Sequence, residues 1–366
     1  MPRNIGAMLN SIRDFANGCF YVRTHVPFLE LKKRGFDTSY ITKANYNYQE
    51  VVDNLDAVVF SRVYQSDPLR DMWRFQKAGI PCIYELDDYI WEIPEVNPAH
   101  ETFKPNAIAQ VEELARNANA VTVSTEPLKE KLSEFNDNVY VCPNAVSFSQ
   151  FKKRVGHTPK PRIGWVGGAN HYGDLELIVD ELLKLDKEID FEFVIQGLSS
   201  APIESEMYYK ELENKWEAEN HSEYRNTSLR VYEKLKQLKS FTHYPFYPPE
   251  FYPNILSQLN LDIGLIPITK DKFNHYKSCI KFYEYAAVGT LALASDELPY
   301  KDEVNFTVED NNWAESIKWA LANRNEAKEL QDKQYKYVKK KRDIAVVAKT
   351  WEKAYSEIID RGCKIS

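Results

Sequence analysis

The sequence predicts two α/β domains, each a doubly wound parallel sheet. Three observations predict them. Short Val/Ile-rich runs alternate with helical patterns four times over in the first half, the signature of parallel β-α-β units. The pattern restarts after His157-Thr158-Pro159-Lys160-Pro161, a stretch punctuated like a linker. A chain of 366 residues is also long enough to bury two cores of ordinary size.

Bulk composition narrows the class. With 43% apolar and 28% charged residues, the chain reads as a soluble globular protein. No apolar run is long enough to cross a bilayer and the first residues lack a basic-then-apolar leader, so a cytoplasmic location is expected. The cysteines (Cys19, Cys82, Cys142, Cys279, Cys363) are odd in number and scattered without a C-x-x-C pair. They are expected to be reduced thiols rather than a zinc site. A net charge of −7 gives no global attraction to nucleic acid, so only a local patch could supply one.

Residues 4–10 read as the first strand. The loop after it carries Asn17-Gly18, and Cys19-Phe20-Tyr21-Val22-Arg23 opens a helix running to Lys33 and stopping near Gly35. Ligands of open α/β sheets lie beyond the carboxyl ends of strands, which makes Arg23 a candidate diphosphate contact, with a surface ion pair as the alternative. Strands follow at 37–42 and 56–61, then a helix from Pro68 to Lys77. The strand that starts at Ile80 ends among Glu85, Asp87 and Asp88. Carboxylates crowded together repel one another, so a use is expected for them. Asp87 could position or deprotonate an attacking hydroxyl; the pair could instead hold a divalent metal, or merely cap the loop. Successive strand residues point to opposite faces, which disfavours joint ligation unless the strand has already ended. Asp87 is therefore the preferred candidate, and no metal is expected. A helix from Asn106 to Asn117, a strand at 120–125, a helix opened by Pro127 and the Val139–Val146 strand complete the first half.

Beyond the linker, Arg162-Ile163-Gly164-Trp165-Val166-Gly167-Gly168 is a strand followed by a glycine turn, with Asn170-His171 and Asp174 opening a helix. Such a turn lets a ligand approach the backbone closely. Phe191–Gly197 is the next strand. Residues 199–240 form a charged, aromatic insertion with helical character, facing an acceptor, a second subunit or solvent. A helix is expected from Trp313 to Asn323. Residues 333–342 carry six basic side chains; these read first as a solvated helix face, and second as a contact for an anionic acceptor or membrane surface. A last helix runs from about Ala345 to Arg361.

The most informative stretch follows the strand Leu261–Pro267. Ser278 can cap a helix, leaving the next amides, beginning at Cys279, to face an anion. Lys281 and Glu284 are three residues apart and share one face of that helix. Amides and Lys281 would hold a diphosphate, and Glu284 would accept from ribose hydroxyls. Lys281-Phe282-Tyr283-Glu284-Tyr285-Ala286-Ala287-Val288-Gly289 resembles the donor-binding helix of GT-B glycosyltransferases of the group 1, family 4-like type. Two departures are visible. Thr290-Leu291 stands where that family often has a proline, and Tyr276 stands where it carries the first glutamate of an E-x7-E pair.

The resemblance implies two Rossmann-like domains facing each other across a cleft. Residues 1–155 would face the acceptor, 156–340 would bind the donor, and 341–366 would form a helix packing back on the first domain. Val139–Val146 is similar to the strand exit that closes the first domain in that family. By the same resemblance Gly168 and His171 contact the donor, and Phe246 or Tyr247 stacks on its base. Lys277 or Lys281 would replace a basic pair that is not recognisable after the glycine turn. The implied activity is transfer of a sugar from a nucleotide-diphosphate sugar, most readily a UDP-sugar, to an acceptor hydroxyl, with retention and without a metal or further cofactor. The acceptor is a glycan, lipid or protein, or a hydroxymethylated base of phage DNA, since Tyr84-Glu85-Leu86-Asp87-Asp88-x-x-Trp91 with Asn97-Pro98 resembles a segment of bacterial and phage transferases. Peripheral membrane contact is compatible with this reading, which leaves the oligomeric state open. Alternatives are a nucleotide-sugar epimerase, a phosphorylase-like enzyme or an inactive nucleotide-sugar-binding relative. A dinucleotide-binding dehydrogenase would need a glycine fingerprint that the chain lacks.

Overall fold

The computed structural model describes residues 2–10, 14–15, 17–43, 46–64, 67–156, 158–198, 222–309 and 312–363. Two six-stranded parallel sheets organise them. The first contains β1 (Arg3–Leu9), β2 (Phe36–Thr42), β3 (Ala57–Ser61), β4 (Cys82–Leu86), β5 (Ala120–Val123) and β6 (Val139–Val141) in the order β2-β1-β3-β4-β5-β6. The second contains β7 (Arg162–Val166), β8 (Glu192–Gln196), β9 (Phe241–Tyr244), β10 (Ile263–Ile266), β11 (Leu291–Ser295) and β12 (Thr307–Val308) in the order β12-β11-β10-β7-β8-β9. Strands buried on both faces read as near-continuous apolar runs, and every residue of β3, β4 and β11 is buried. The order reverses between β1 and β3 and again between β7 and β10. Crevices open at such reversals, beyond the carboxyl ends of the strands.

Helices cover both faces of each sheet. The first sheet carries α1, built from Gly18–Phe20, a π turn over Tyr21–His25 and Val26–Lys32. It also carries α2 (Tyr48–Asn54), α3 (Pro68–Lys77), α4 (Pro105–Asn117) and α5 (Glu126–Leu132). Alternate strand residues feed opposite cores, Ala57 and Val59 packing with Phe28 and Leu31 of α1, and Val58 and Phe60 with Phe75 of α3. The second sheet carries α6 (Tyr172–Glu188), α7 (Ser222–Leu235), α8 (Tyr252–Leu259), α9 (Ile280–Val288), α10 (Trp313–Ala322) and α11 (Arg324–Lys341). The described part of the expected insertion is helical and packs on α6; Met207, Tyr208, Tyr209 and Trp216 lie outside the described residues.

α12 (Ile344–Arg361) follows the second sheet in sequence but buries Trp351, Tyr355 and Ile358 against Phe28 and Ile83 of the first. The two crossing chains pair as they pass. Val146 N–H donates to the Arg342 carbonyl at 3.0 Å, and Ile344 N–H donates to the Val146 carbonyl at 2.9 Å.

α9 is placed by two small details. Gly264 on β10 lies so close to the Tyr285 ring that a Cβ there would meet it at 2.7 Å. The Tyr285 hydroxyl in turn accepts from the buried Val166 N–H at 3.0 Å, tying α9 to the end of β7. The helix stops at Gly289, in the left-handed conformation (φ 73°) that glycine adopts without penalty.

Candidate active site

The carboxyl ends of both sheets meet around one cavity of about 420 Å³. Its walls come from the loops after β1 (Asn17, Gly18), β4 (Asp87, Asp88), β7 (Gly167, Gly168, His171) and β9 (Phe246, Tyr247), and from α9 and the loop before it (Lys277, Ser278, Lys281, Glu284). Asp87, Gly168, His171, Phe246, Tyr247, Ser278, Lys281 and Glu284, all expected from sequence, therefore line one space. Arg23 and the Cys279 side chain do not. Gly167 explains part of the cradle, because a Cβ there would meet the Trp165 ring at 2.6 Å and Lys281 Nζ at 3.1 Å.

The start of α9 differs from the expected cap. The helix begins at Ile280, with Cys279 as a cap residue that makes no side-chain hydrogen bond. Ser278 lies one position earlier, and its Oγ is 2.6 Å from Asn144 Nδ2 instead. The first amides of α9 thus have no side-chain acceptor, the usual condition for binding an anion at a helix start. The Cys279 thiol is buried among Phe282, Tyr283 and Tyr300, so only its backbone could take part.

Lys281 reaches over Trp165, its Nζ 4.3 Å from the ring centroid. Burial pushes its ammonium down to about 8, with Asp174 pulling up and Lys277 pushing down. On the same face, burial pushes the Glu284 carboxyl up to about 7 against the hydrogen bond from Tyr252 and the charge of Lys281. Tyr252 Oη donates to Glu284 Oε2 at 2.9 Å.

His171 is held by Asp174, Nδ1 to Oδ2 at 2.7 Å. Burial first, then Lys281 and Lys277, push the imidazole down to about 3, so it is neutral. For Asp174 burial acts upward, and the hydrogen bond and charge of His171, with Lys277 and the Thr269 amide, outweigh it and hold the carboxyl below its usual range. The carboxylate accepts the hydrogen bond from Nδ1–H, which leaves Nε2 as the acceptor nitrogen of the neutral ring.

Across the cavity, Asp87 and Asp88 follow the end of β4 and converge on one partner. Arg62 Nη1 donates to Asp87 Oδ1 at 2.6 Å and to Asp88 Oδ2 at 3.0 Å. Arg62 has φ 51°, a left-handed conformation that costs a non-glycine residue about 1–2 kcal/mol, offset here by two charge-assisted bonds. Cys19 Sγ and the two carboxylates come within 4.8 Å of one another, the spacing of a metal site. The donor set does not suit one. The Arg62 guanidinium already supplies the cation, and burial followed by Asp87 pushes the Cys19 thiol up, away from the thiolate that ligates metal.

One expected role changes. Arg23 is fully buried, with Nε on Glu85 Oε1 at 2.7 Å and Nη1 on the Cys142 carbonyl at 2.5 Å and Asn144 Oδ1 at 2.8 Å. The π turn over Tyr21–His25 widens the helix at this residue and the side chain enters the core, so Arg23 is not a direct contact for a ligand in the cavity. Tyr276, at the departed glutamate position, stacks on Tyr89 of the first sheet's side at 4.2 Å and 22°. Its carbonyl accepts from Thr125 Oγ1 at 2.9 Å. Sequence reading assigned no site role to Tyr252, Gln196 or Asn144, which also line the cavity, although Asn144 lies within the Val139–Val146 strand exit.

No family model and no curated protein matches the chain. Solved structures do match its fold. A glycosyltransferase from Rickettsia africae superposes over the full length of both chains, with a TM-score of 0.64 at 16% identity. An alpha-glucosyltransferase in complex with UDP-glucose and DNA containing an abasic site gives 0.64 at 13%, over 97% of this chain and 98% of that one. Anabaena HepE, in complex with UDP and glucose, gives 0.63 at 10%, over 97% of this chain and all of that one. This chain has the GT-B fold. In GT-B terms, the cavity is the cleft between the two Rossmann-like units, and α12 is the helix that returns to the first of them.

Proposed function

We propose that the chain is a glycosyltransferase that takes a UDP-sugar as donor and transfers the sugar to an acceptor hydroxyl. The observation that carries this reading is the single wall formed by uncapped α9 amides, Lys281 and Glu284, facing Asp87 across the cleft. A diphosphate would meet amides and ammonium, and ribose hydroxyls would donate to Glu284. The exposed Phe246 ring and its neighbour Tyr247 offer faces for the base. His171 Nε2, as an acceptor, would receive a sugar hydroxyl. As the glycosidic bond breaks, negative charge grows on the leaving diphosphate, and fixed donors at that point stabilise it most when water is excluded. Lys281 is therefore assigned to leaving-group stabilisation and Asp87 to holding the acceptor hydroxyl. Retention of configuration and independence from metal belong to the same proposal. The solved neighbours that hold UDP support the choice of nucleotide.

Thermal shift against UDP, GDP, ADP, CMP and dTDP, with and without magnesium, tests it. UDP alone is expected to raise the midpoint, equally in both conditions. No shift with any nucleotide would sink the proposal, and a shift requiring magnesium would sink its metal-free part.

The acceptor in the first reading is a hydroxyl of a glycan, lipid or protein. A polyanionic acceptor such as modified DNA is the second, favoured by a run of exposed lysines. Lys336, Lys339, Lys340 and Lys341 near the end of α11, with Lys152 and Lys153 beside the cavity-lining Phe151, are all exposed. Transfer to DNA would weaken steeply between low and moderate salt, whereas transfer to a small glycan would not. Flat salt dependence would discard the second reading.

A further inference from the structure

We propose that Asn144 is a positioning residue that turns the Ser278 hydroxyl into a donor for the anion site, and that Arg23 sets its orientation. The inference rests on the nucleoside-diphosphate reading above. A guanidinium has only hydrogens to offer. Arg23 gives those on Nε and Nη1 to Glu85, the Cys142 carbonyl and Asn144, while the Trp351 ring from α12 covers its face at 4.7 Å. The Asn144 atom 2.8 Å from Arg23 Nη1 must therefore be the carbonyl oxygen, as an amide nitrogen there would oppose hydrogen to hydrogen.

That fixes the other end of the side chain. The Asn144 amide NH2 faces Ser278 Oγ at 2.6 Å, and an amide nitrogen cannot accept. Ser278 Oγ must accept, which leaves its own proton for another partner. No other hydrogen bond to that oxygen occurs among the described residues. Ser278 lines the cavity immediately before the uncapped start of α9. Its O–H is thus presented, beside the helix amides and Lys281, to an oxygen of a bound diphosphate. The path Glu85–Arg23–Asn144–Ser278 also crosses from the first sheet's unit to the second's, so the donor exists only when the two units meet.

The test is UDP affinity, by titration calorimetry, for wild type, S278A, N144D and N144D/S278A. Losing one charge-assisted donor in S278A is expected to weaken binding roughly tenfold. N144D keeps a partner for Arg23, but its carboxylate can only accept. It draws the Ser278 proton to itself and is expected to weaken UDP at least as much. In the S278A background the further loss from N144D should be clearly smaller. An equal loss in both backgrounds would mean simple charge repulsion and would overturn the proposal, as would a Kd unchanged by S278A. S278A removes a single oxygen and decides the matter by itself if N144D does not fold. Wild type that fails to bind UDP would remove the nucleotide reading and this inference together; wild type that binds while the cycle is additive would remove this inference alone.

Discussion

At the residue scale, the donor wall is defined by two groups whose proton affinities have been moved toward each other. Lys281 falls to about 8 and Glu284 rises to about 7 because desolvation penalises the charged form of each, Lys281 being buried and Glu284 half-buried before a ligand arrives. Each is useful in its charged form. The Lys281 cation is present below about 8 and lost as pH rises through that value; the Glu284 anion is present above about 7 and lost as pH falls through it. The phosphates of a UDP-sugar do not titrate in this range, so kcat/KM for the donor reports the free protein's groups. A narrow bell between about 7 and 8 is expected, its alkaline limb flattened by K281R and its acid limb by E284Q. If neither variant changes its limb, these side chains do not meet the donor. Removing the carboxylate altogether, Glu284→Ala, is expected to cost roughly 1.5–3 kcal/mol in donor binding, the worth of a hydrogen bond to a charged group. Nucleotide affinity equal to wild type would place the ribose elsewhere.

At the scale of elements, α9 works as a site because it is anchored at its back as well as aimed at its front. Tyr285 carries the anchor. Its hydroxyl accepts from the buried Val166 amide at 3.0 Å. Tyr285→Phe is expected to lower unfolding stability by about 1–3 kcal/mol, the cost of an unsatisfied buried donor, measurable by urea denaturation. No change would mean that the amide finds another acceptor. The sequence disclosed this helix well, along with α3 and α12, because apolar period, prolines and a terminal glycine are local signals. Burial of β3 and β4 was equally legible from their near-continuous apolar runs, broken only by Glu85 in β4 and Ser61 at the end of β3. What escaped was decided by residues far away in the chain. Ser278 reads as a cap until Asn144, which lies 134 positions earlier, takes its oxygen. Arg23 follows a strand end like a ligand contact, but one π turn redirects it to Glu85 and Trp351. Tyr276 has no interpretable place without Tyr89 opposite it. Contacts between the two halves carry no periodicity, so the cleft-facing roles were the least readable part.

For the molecule as a whole, the question is how two units built from separate sequence blocks remain one cleft. Polar and aromatic contacts join them across the cleft, among them the Tyr89–Tyr276 stack, the Thr125 bond to the Tyr276 carbonyl, the Asn144–Ser278 bond, the Lys272–Glu92 ion pair at 2.5 Å and the paired crossing chains. Interfaces of that kind permit relative motion more readily than a continuous core does. The exception is α12, which leaves the second unit and completes the core of the first. Trp351 is its largest buried side chain, 1% exposed, and it also lies over Arg23. Trp351→Ala should remove about 3–5 kcal/mol, the cost of deleting a fully buried aromatic. The loss belongs to the first sheet's core, because the second sheet does not touch that ring. Scanning calorimetry of the variant is therefore expected to show an early transition for the first unit and a later one for the second. Saturating UDP should raise only the later transition, since α9, Lys281 and Glu284 all belong to the second unit. A single transition, shifted as a whole and raised as a whole by UDP, would show instead that the contacts across the cleft are strong enough to make both units one cooperative structure.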